Sequence, residues 1–223
     1  MKCEGIFFSE WAGIRTAATV RVLSQDRKEI LTENTGEVQL TDYGISGIPT
    51  FQVSHVIGEH LNSLHNTGSV KENGVPLELD FLPDFTEEYL QQQLQTRLRN
   101  TVTESLTLAN LFMGMVNSKL LACILKQKGL QWEQRISFPD ATALLQTLKH
   151  FPVNATGLND FTQAQVTAGG VPLEEIDQNF QSLKVPGFFL CGELLDVDGI
   201  CGGYNLQWAW TSGWIAGESA STI

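Results

Sequence analysis

Apolar and polar positions alternate along the first third of the chain. In "AATVRVL", residues 17–23, Ala18, Val20 and Val22 alternate with Thr19 and Arg21, which is the period of a half-buried strand. "VKENGVPLELDFL" places Asn73-Gly74 as a turn ahead of Val75, Leu77, Leu79 and Phe81, which alternate with Glu78 and Asp80. Between them lie "GEVQLTDYGISGIPTFQVS" and then "SHVIGEHLNSLH", predicted as a short helix capped by Ser54. Short strands on tight turns predict a small β-barrel or sandwich over residues 1–83.

Past Pro83 the apolar period becomes helical. Asp84 with Glu87 three residues on reads as a capping box, and Leu90, Leu94 and Leu98 follow at i+4. "TLANLFMGMVNSKLLACILKQKG" predicts a second long helix ending at Gly129, and "PDATALLQTLKHFP" a third that stops before Pro152. Residues 84–155 are thus expected to form a helical bundle insert. From 156 to 223 the pattern changes again. "AQVTAGGV" reads as a strand entering a glycine turn, and "VPGFFLCGE" as an apolar strand of the kind buried in a parallel sheet. "NLQWAWTSGWIAGESAS" reads as a helix with the small residues Ala209, Gly213 and Gly217 at i, i+4 and i+8. The expected fold class is α+β, built of several modules.

Composition narrows the function classes. The 223 residues are 42% hydrophobic and 17% charged, as in a folded globular protein. A net charge of -11 argues against nucleic acid as partner, because phosphate binding calls for a basic face. A phosphate-bearing cofactor remains compatible, since backbone N–H groups at a helix start can hold it. Cys3, Cys123, Cys191 and Cys201 form no C-x-x-C pair. Reduced thiols are one reading; a redox pair of Cys191 and Cys201 is the other. "MKCEGIFFSEWAG" is no secretory signal, and no run approaches the ~18 apolar residues of a membrane span, so the expected location is the cytoplasm. His55, His60 and His65 are spaced by five, which spreads them around a helix, and no metal site is expected.

The chemistry-bearing stretch is "CGELLDVDGICGGYNLQWAW", residues 191–210. Strand, acidic loop, Gly202-Gly203 and helix make the local geometry of a ligand site at the carboxyl end of a strand. Free N–H groups at the helix start would face an electron-rich atom, and Glu193 could accept hydrogen bonds from hydroxyls. The other reading is a plain tight turn, with Asp196 and Asp198 solvated. A calcium loop fits poorly, because "DVDG" lacks the third acidic position and the downstream Glu.

"LCGELLDVDGICGGYNLQWAWTSGWIAG", residues 190–217, closely resembles the C-terminal signature of a bacterial NAD(P)/FAD-dependent oxidoreductase family, the aminoacetone-oxidase-like flavoproteins. "WAGIR", "GEVQLTDYGISG", "LELDFLPD" and "VTAGGVPLEEI" match in the same order, so the resemblance runs nearly the whole length. It implies an FAD-binding Rossmann-like domain carrying inserted β-barrel and helical modules, with residues 156–223 as its closing strand–helix portion. Carried over, Glu193 takes the ribityl chain of FAD, and the backbone of Gly203, Tyr204, Asn205 and Leu206 lines the flavin's pyrimidine edge. Gly192 and Gly202 belong to the same cofactor-binding set. Asp196, Thr167, Gly169 and Gly170 either join the site or only shape the turn. Tyr43 and Ser46 in "TDYGISG" lie on the substrate side or in a simple turn.

The resemblance departs at one point. The first βαβ unit of such families, with its G-x-G-x-x-G turn, has no counterpart in these 223 residues. The expectation is therefore a C-terminal portion that binds little FAD and has no turnover by itself. Its partners would be FAD, a small-molecule substrate, and either a separate N-terminal half or a second copy docked on the tryptophan-rich tail. A non-enzymatic interaction module is the rival reading.

Overall fold

The alternating segments pair into a single antiparallel sheet in the computed structural model, which describes residues 1–4, 8–66, 74–100, 107–135 and 137–222. Its strands are β1 (Lys2–Glu4), β2 (Arg15–Leu23), β3 (Ile30–Leu40), β4 (Ile45–Gly47), β5 (Val75–Asp80) and β6 (Phe151–Gly157), in the order β1-β6-β5-β2-β3-β4. The two outer strands then meet. Lys2 bridges Gly44, the Cys3 N–H donates to Tyr43 O at 2.9 Å, and the Ile45 N–H donates to Met1 O at 3.3 Å. The sheet is thereby nearly closed, which satisfies edge groups that an open sheet leaves bare. The Asn73-Gly74 turn falls partly outside the described residues.

Seven helices accompany these strands among the described residues: α1 (Phe8–Trp11), α2 (Ile48–Asn66), α3 (Glu87–Asn100), α4 (Leu108–Phe112), α5 (Ser118–Gln127), α6 (Phe138–Lys149) and α7 (Tyr204–Ala220). Several caps differ from expectation. Ser54 lies inside α2, which starts six residues earlier, and its hydroxyl donates back to Phe51 O at 2.7 Å. Pro49 is compatible with that start, because its missing N–H falls where the first turn has no acceptor to give. Asp84 does not cap α3; the Tyr89 N–H donates instead to the Thr86 hydroxyl at 3.3 Å. The long helix expected over 107–129 is broken at Gly114, where φ is +79°, and restarts with Asn117 accepting the Lys119 N–H at 2.9 Å. α6 forms where expected but starts earlier, at Phe138 with Pro139 in its first turn, and stops at Lys149; Ser137 caps it, accepting the Asp140 N–H at 3.2 Å.

The chain divides into two compact units, Met1–Leu158 and Asn159–Ile223. In the first, Val20, Val22, Leu77 and Leu79 of the sheet share one continuous core with Val53 and Ile57 of α2, Leu90 and Leu94 of α3, and Leu144 and Leu148 of α6. Trp11, Phe81 and Phe151 sit at its aromatic centre, with ring centroids 5.6–5.7 Å apart.

Charges at one end of this core are tightly paired. Buried Lys149 donates to Asp80 Oδ2 at 2.5 Å, Leu82 O at 3.0 Å and Phe85 O at 2.8 Å. Arg21 reaches Glu78 at 2.8 Å and Glu33 at 2.9 Å. His150 lies between two carboxylates, with Nε2 2.6 Å from Glu87 Oε1 and Nδ1 3.1 Å from Glu78 Oε1. A neutral imidazole has one N–H and cannot donate to both, so this geometry favours the doubly protonated ring. Burial opposes that charge, but the two carboxylates outweigh it and hold the His150 pKa above its ordinary value. Hydrogen bonds from Gln146 and His150 in turn hold the Glu87 carboxyl below its own.

The sign for stability follows. The His150 contribution is complete below about pH 6.5, the unfolded-state value, and is lost as pH rises through the elevated folded value. Urea unfolding is expected to show the first unit weakening between pH 6 and pH 9, with a smaller change in His150→Gln. Equal pH dependence in the two proteins would contradict the pairing.

The second unit holds single helical turns at Phe161–Gln163, Leu173–Glu175 and Gly192–Leu194, followed by α7. Neither expected strand forms here. "AQVTAGGV" is irregular apart from a parallel bridge of Val171 to Leu195. "VPGFFLCGE" is no buried strand: Val185 is 54% and Phe188 53% exposed. No described strand runs beside it to take up its backbone groups. The segment closes on itself instead, with the Ser182 N–H donating to Phe188 O at 2.7 Å and the Ser182 hydroxyl accepting the Lys184 and Val185 N–H groups.

Candidate functional site

Two loops and the start of α7 converge in the second unit. The Glu193 carboxylate accepts the Thr167 N–H through Oε1 at 2.6 Å, so one oxygen is committed to the neighbouring loop. Glu193 is exposed. The same loops are laced along their backbones: the Val171 N–H donates to Leu194 O, and the Asp196 N–H to Val171 O, both at 2.9 Å. Gly170 is required for this approach. A Cβ there would lie 2.7 Å from Leu194 O and 2.9 Å from the Leu195 carbonyl carbon, at a φ of +152°. Gly170 is thus a packing residue of the loop pair, and Asp196 contributes through its backbone with its side chain in solvent.

α7 begins at Gly203, whose φ of +92° is a conformation that side-chain-bearing residues rarely adopt. No side chain caps this helix start, and its first turn carries no acidic residue. A helix N-terminus of that kind offers outward N–H groups and the positive end of the dipole. A Cβ added to Gly203 would meet nothing within 4 Å, so the backbone is open on that side. Asn205 has a structural duty in addition: its Oδ1 accepts the Gly199 N–H at 2.7 Å, and its Nδ2 donates to Gly199 O at 3.0 Å. The acidic loop is thereby folded back over the helix start. Tyr204 and Leu206 are 60% and 61% exposed.

Sequence patterns did not identify the tie between the Glu193 turn and α7. The Gly192 N–H donates to the Ser212 hydroxyl at 2.9 Å, and the Trp208 indole N–H donates to Gly192 O at 3.1 Å. Gly192, Glu193, Thr167, Val171 and Asp196 lie in one hydrogen-bonded loop pair, Gly170 allows its close approach, and Asn205 with Gly202 and Gly203 shapes the helix start. Gly169, at a φ of +91°, makes the turn beside Gly170.

Tyr43 and Ser46 belong to the first unit. The Tyr43 carbonyl accepts the Cys3 N–H where the sheet closes, and Ser46 pairs with Gln39 across β3 and β4. Among the described residues, no group of three or more His, Cys, Asp or Glu side chains is placed to hold a metal ion. His55 pairs with Glu59 at 3.1 Å and His60 Nδ1 with Val56 O at 2.8 Å; the side chain of His65 lies outside the described residues. No described helix is long and apolar enough to cross a membrane.

The second unit thus carries an uncapped helix start and a carboxylate anchored to a facing loop, both on or bonded to α7 through one turn. Residues 12–219 match the family model described as the HI0933-like protein Rossmann domain. The chain belongs to that family, which is of the flavin-type oxidoreductases. It is 36% identical over 231 residues to the 3-dehydro-bile acid delta(4,6)-reductase of Clostridium scindens, covering 96% of this chain and 50% of that protein. It is 30% identical over 188 residues to the ribosomal RNA dihydrouridine synthase of Haemophilus influenzae, covering 83% of this chain and 42% of that protein. The Escherichia coli ribosomal RNA dihydrouridine synthase is 38% identical over 86 residues, or 38% of this chain and 22% of that protein. The chain spans half or less of the length of these curated relatives. The Rossmann name describes the family; the described strands here pair antiparallel, and the parallel pairing among the described residues is the isolated bridge of Val171 to Leu195, outside those strands.

Proposed function

We propose that the second unit supplies the flavin-facing part of an FAD site, in an oxidoreductase that acts on a small organic substrate. The observation that carries this reading is the pairing of Glu193, with one oxygen held by Thr167, and the uncapped α7 start at Gly203. Glu193 Oε2 would accept a ribityl hydroxyl. The N–H groups of Tyr204, Asn205 and Leu206 would donate to the pyrimidine edge and favour negative charge there. The residues present are compatible with that group: donors without a capping side chain, open space at Gly203, and an exposed carboxylate on the turn that α7 holds. FAD, when bound, supplies the two-electron redox chemistry. The protein's part is to orient it and bias its charge. Relatives act on a 3-dehydro-bile acid or on ribosomal RNA by name, and a net charge of -11 favours a small molecule here.

The test is a titration with FAD followed by flavin fluorescence. Glu193→Gln is expected to bind at least about tenfold more weakly than wild type, since a charged hydrogen bond contributes about 1.5–3 kcal/mol. Unchanged affinity would refute the role of Glu193.

A second reading has its own support. Leu206, Trp210 and Trp214 form an apolar stripe at i, i+4 and i+8 on α7, exposed by 61%, 67% and 68%. Apolar stripes of this kind mark association surfaces. The partner this reading proposes for the stripe is a polypeptide carrying a pyrophosphate-binding G-x-G-x-x-G turn. Mixing the chain with such a polypeptide is expected to give flavin retention that neither shows alone; a mixture no better than the parts would reject it.

A further inference from the structure

Ser212 and Trp208 lie one turn apart on α7, away from the helix start, and neither has a place in the flavin contacts proposed above. Ser212 is fully buried, with 0% of its surface exposed. Its hydroxyl accepts the Gly192 N–H at 2.9 Å and donates to Trp208 O at 2.6 Å. The Trp208 indole N–H donates to Gly192 O at 3.1 Å, and its ring packs edge-on against Phe180 with centroids 5.6 Å apart. Side chains of a single helix therefore reach both backbone polar groups of Gly192, whose carbonyl also accepts the Leu195 N–H at 3.3 Å. That is unusual work for a helix, since side chains replace what a neighbouring strand would give.

A serine in mid-helix that bonds back to the carbonyl one turn earlier gains little for the helix itself. Its remaining lone pairs are what Gly192 needs. Gly192 precedes Glu193, and Glu193 in turn holds Thr167. A rigid path thus runs from the body of α7 through Gly192 to the one carboxylate of the site and on to the facing loop. We propose that Ser212 and Trp208 are positioning residues, which fix the Glu193 carboxylate at the distance from the α7 start that the flavin requires. This rests on the reading of Glu193 as a flavin-binding residue.

The experiment uses the 223-residue chain, with amide NMR as the readout and FAD as the added ligand. The Thr167 amide, donated to a carboxylate at 2.6 Å, is expected far downfield, and Glu193→Ala gives its position when that acceptor is gone. In Ser212→Ala and in Trp208→Phe the Thr167 amide is expected to move at least half of the way to that position, while α7 amides keep their helical shifts. FAD affinity is expected to fall about tenfold in both, the size of one lost bond. Should Ser212→Ala lose α7, Trp208→Phe, which keeps a ring against Phe180, decides alone. A Thr167 amide that stays at its wild-type position in a variant with α7 intact overturns the proposal. A Thr167 amide that moves, in a protein whose FAD affinity Glu193→Ala leaves unchanged, upholds the positioning and rejects the flavin reading instead.

Discussion

The 223-residue polypeptide is expected to hold FAD more than about a thousandfold more weakly than a protein that joins it to a G-x-G-x-x-G turn. In the proposed site the second unit would offer FAD one carboxylate oxygen and a few helix-start N–H groups, meeting only its ribityl chain and ring system. Pyrophosphate contacts need a glycine turn at a strand–helix junction, and no such sequence occurs in the chain. If such a turn and its surroundings make about five hydrogen bonds of about 1 kcal/mol each, joining them adds about 5 kcal/mol. At about 1.4 kcal/mol per decade the difference exceeds a thousandfold. Equilibrium dialysis against FAD checks it, and stoichiometric flavin in the purified chain would show the calculation wrong.

Asp80→Ala is expected to cost the first unit about 3–5 kcal/mol, because it leaves a buried ammonium without its counter-charge. The Asp80 side chain is 2% exposed and that of Lys149 8%. Asp80 also accepts the Leu82 N–H at 2.9 Å and lies 3.5 Å from Arg21, so one carboxylate joins β5, β2 and the end of α6. Lys149 would keep two carbonyl acceptors, Leu82 O and Phe85 O, but no negative charge in contact. Adding Lys149→Met to Asp80→Ala is expected to recover part of the loss, since the unpaired charge goes with it. Urea unfolding of the three proteins measures this, and a single-variant cost under about 1 kcal/mol would refute the assignment.

How much of this was legible in the residues depended on whether local pattern or tertiary pairing decided each segment. β2 and β5 announced themselves by alternation, α6 by its position between two prolines, and α7 by its stripe of small residues. β6 carried the same alternation, with Phe151, Val153 and Ala155 buried, yet Pro152 read as a helix stop and hid it. Proline is tolerated there as the neighbour of Glu78 in the β5–β6 pairing, while alternate residues do the packing. The tail strands failed for the opposite reason. "VPGFFLCGE" has the composition of a buried strand, but composition cannot supply a neighbour, and without one the segment turned on Ser182.

The candidate site's local structure was legible: the quoted run placed a glycine pair ahead of a helix, and Gly202-Gly203 do precede α7. Ser212 and Trp208 were not, because their role is to meet Gly192 across 16 to 20 residues. A buried serine one turn after a tryptophan carries no signal until the helix is placed against the loop.

The central claim is that the Glu193 turn and the α7 start together face a flavin. Amide NMR of the chain with millimolar FAD tests it most directly. The account predicts that shift changes gather on Thr167, Glu193, Gly203, Tyr204, Asn205 and Leu206. Changes centred elsewhere, or none at that concentration, would contradict it.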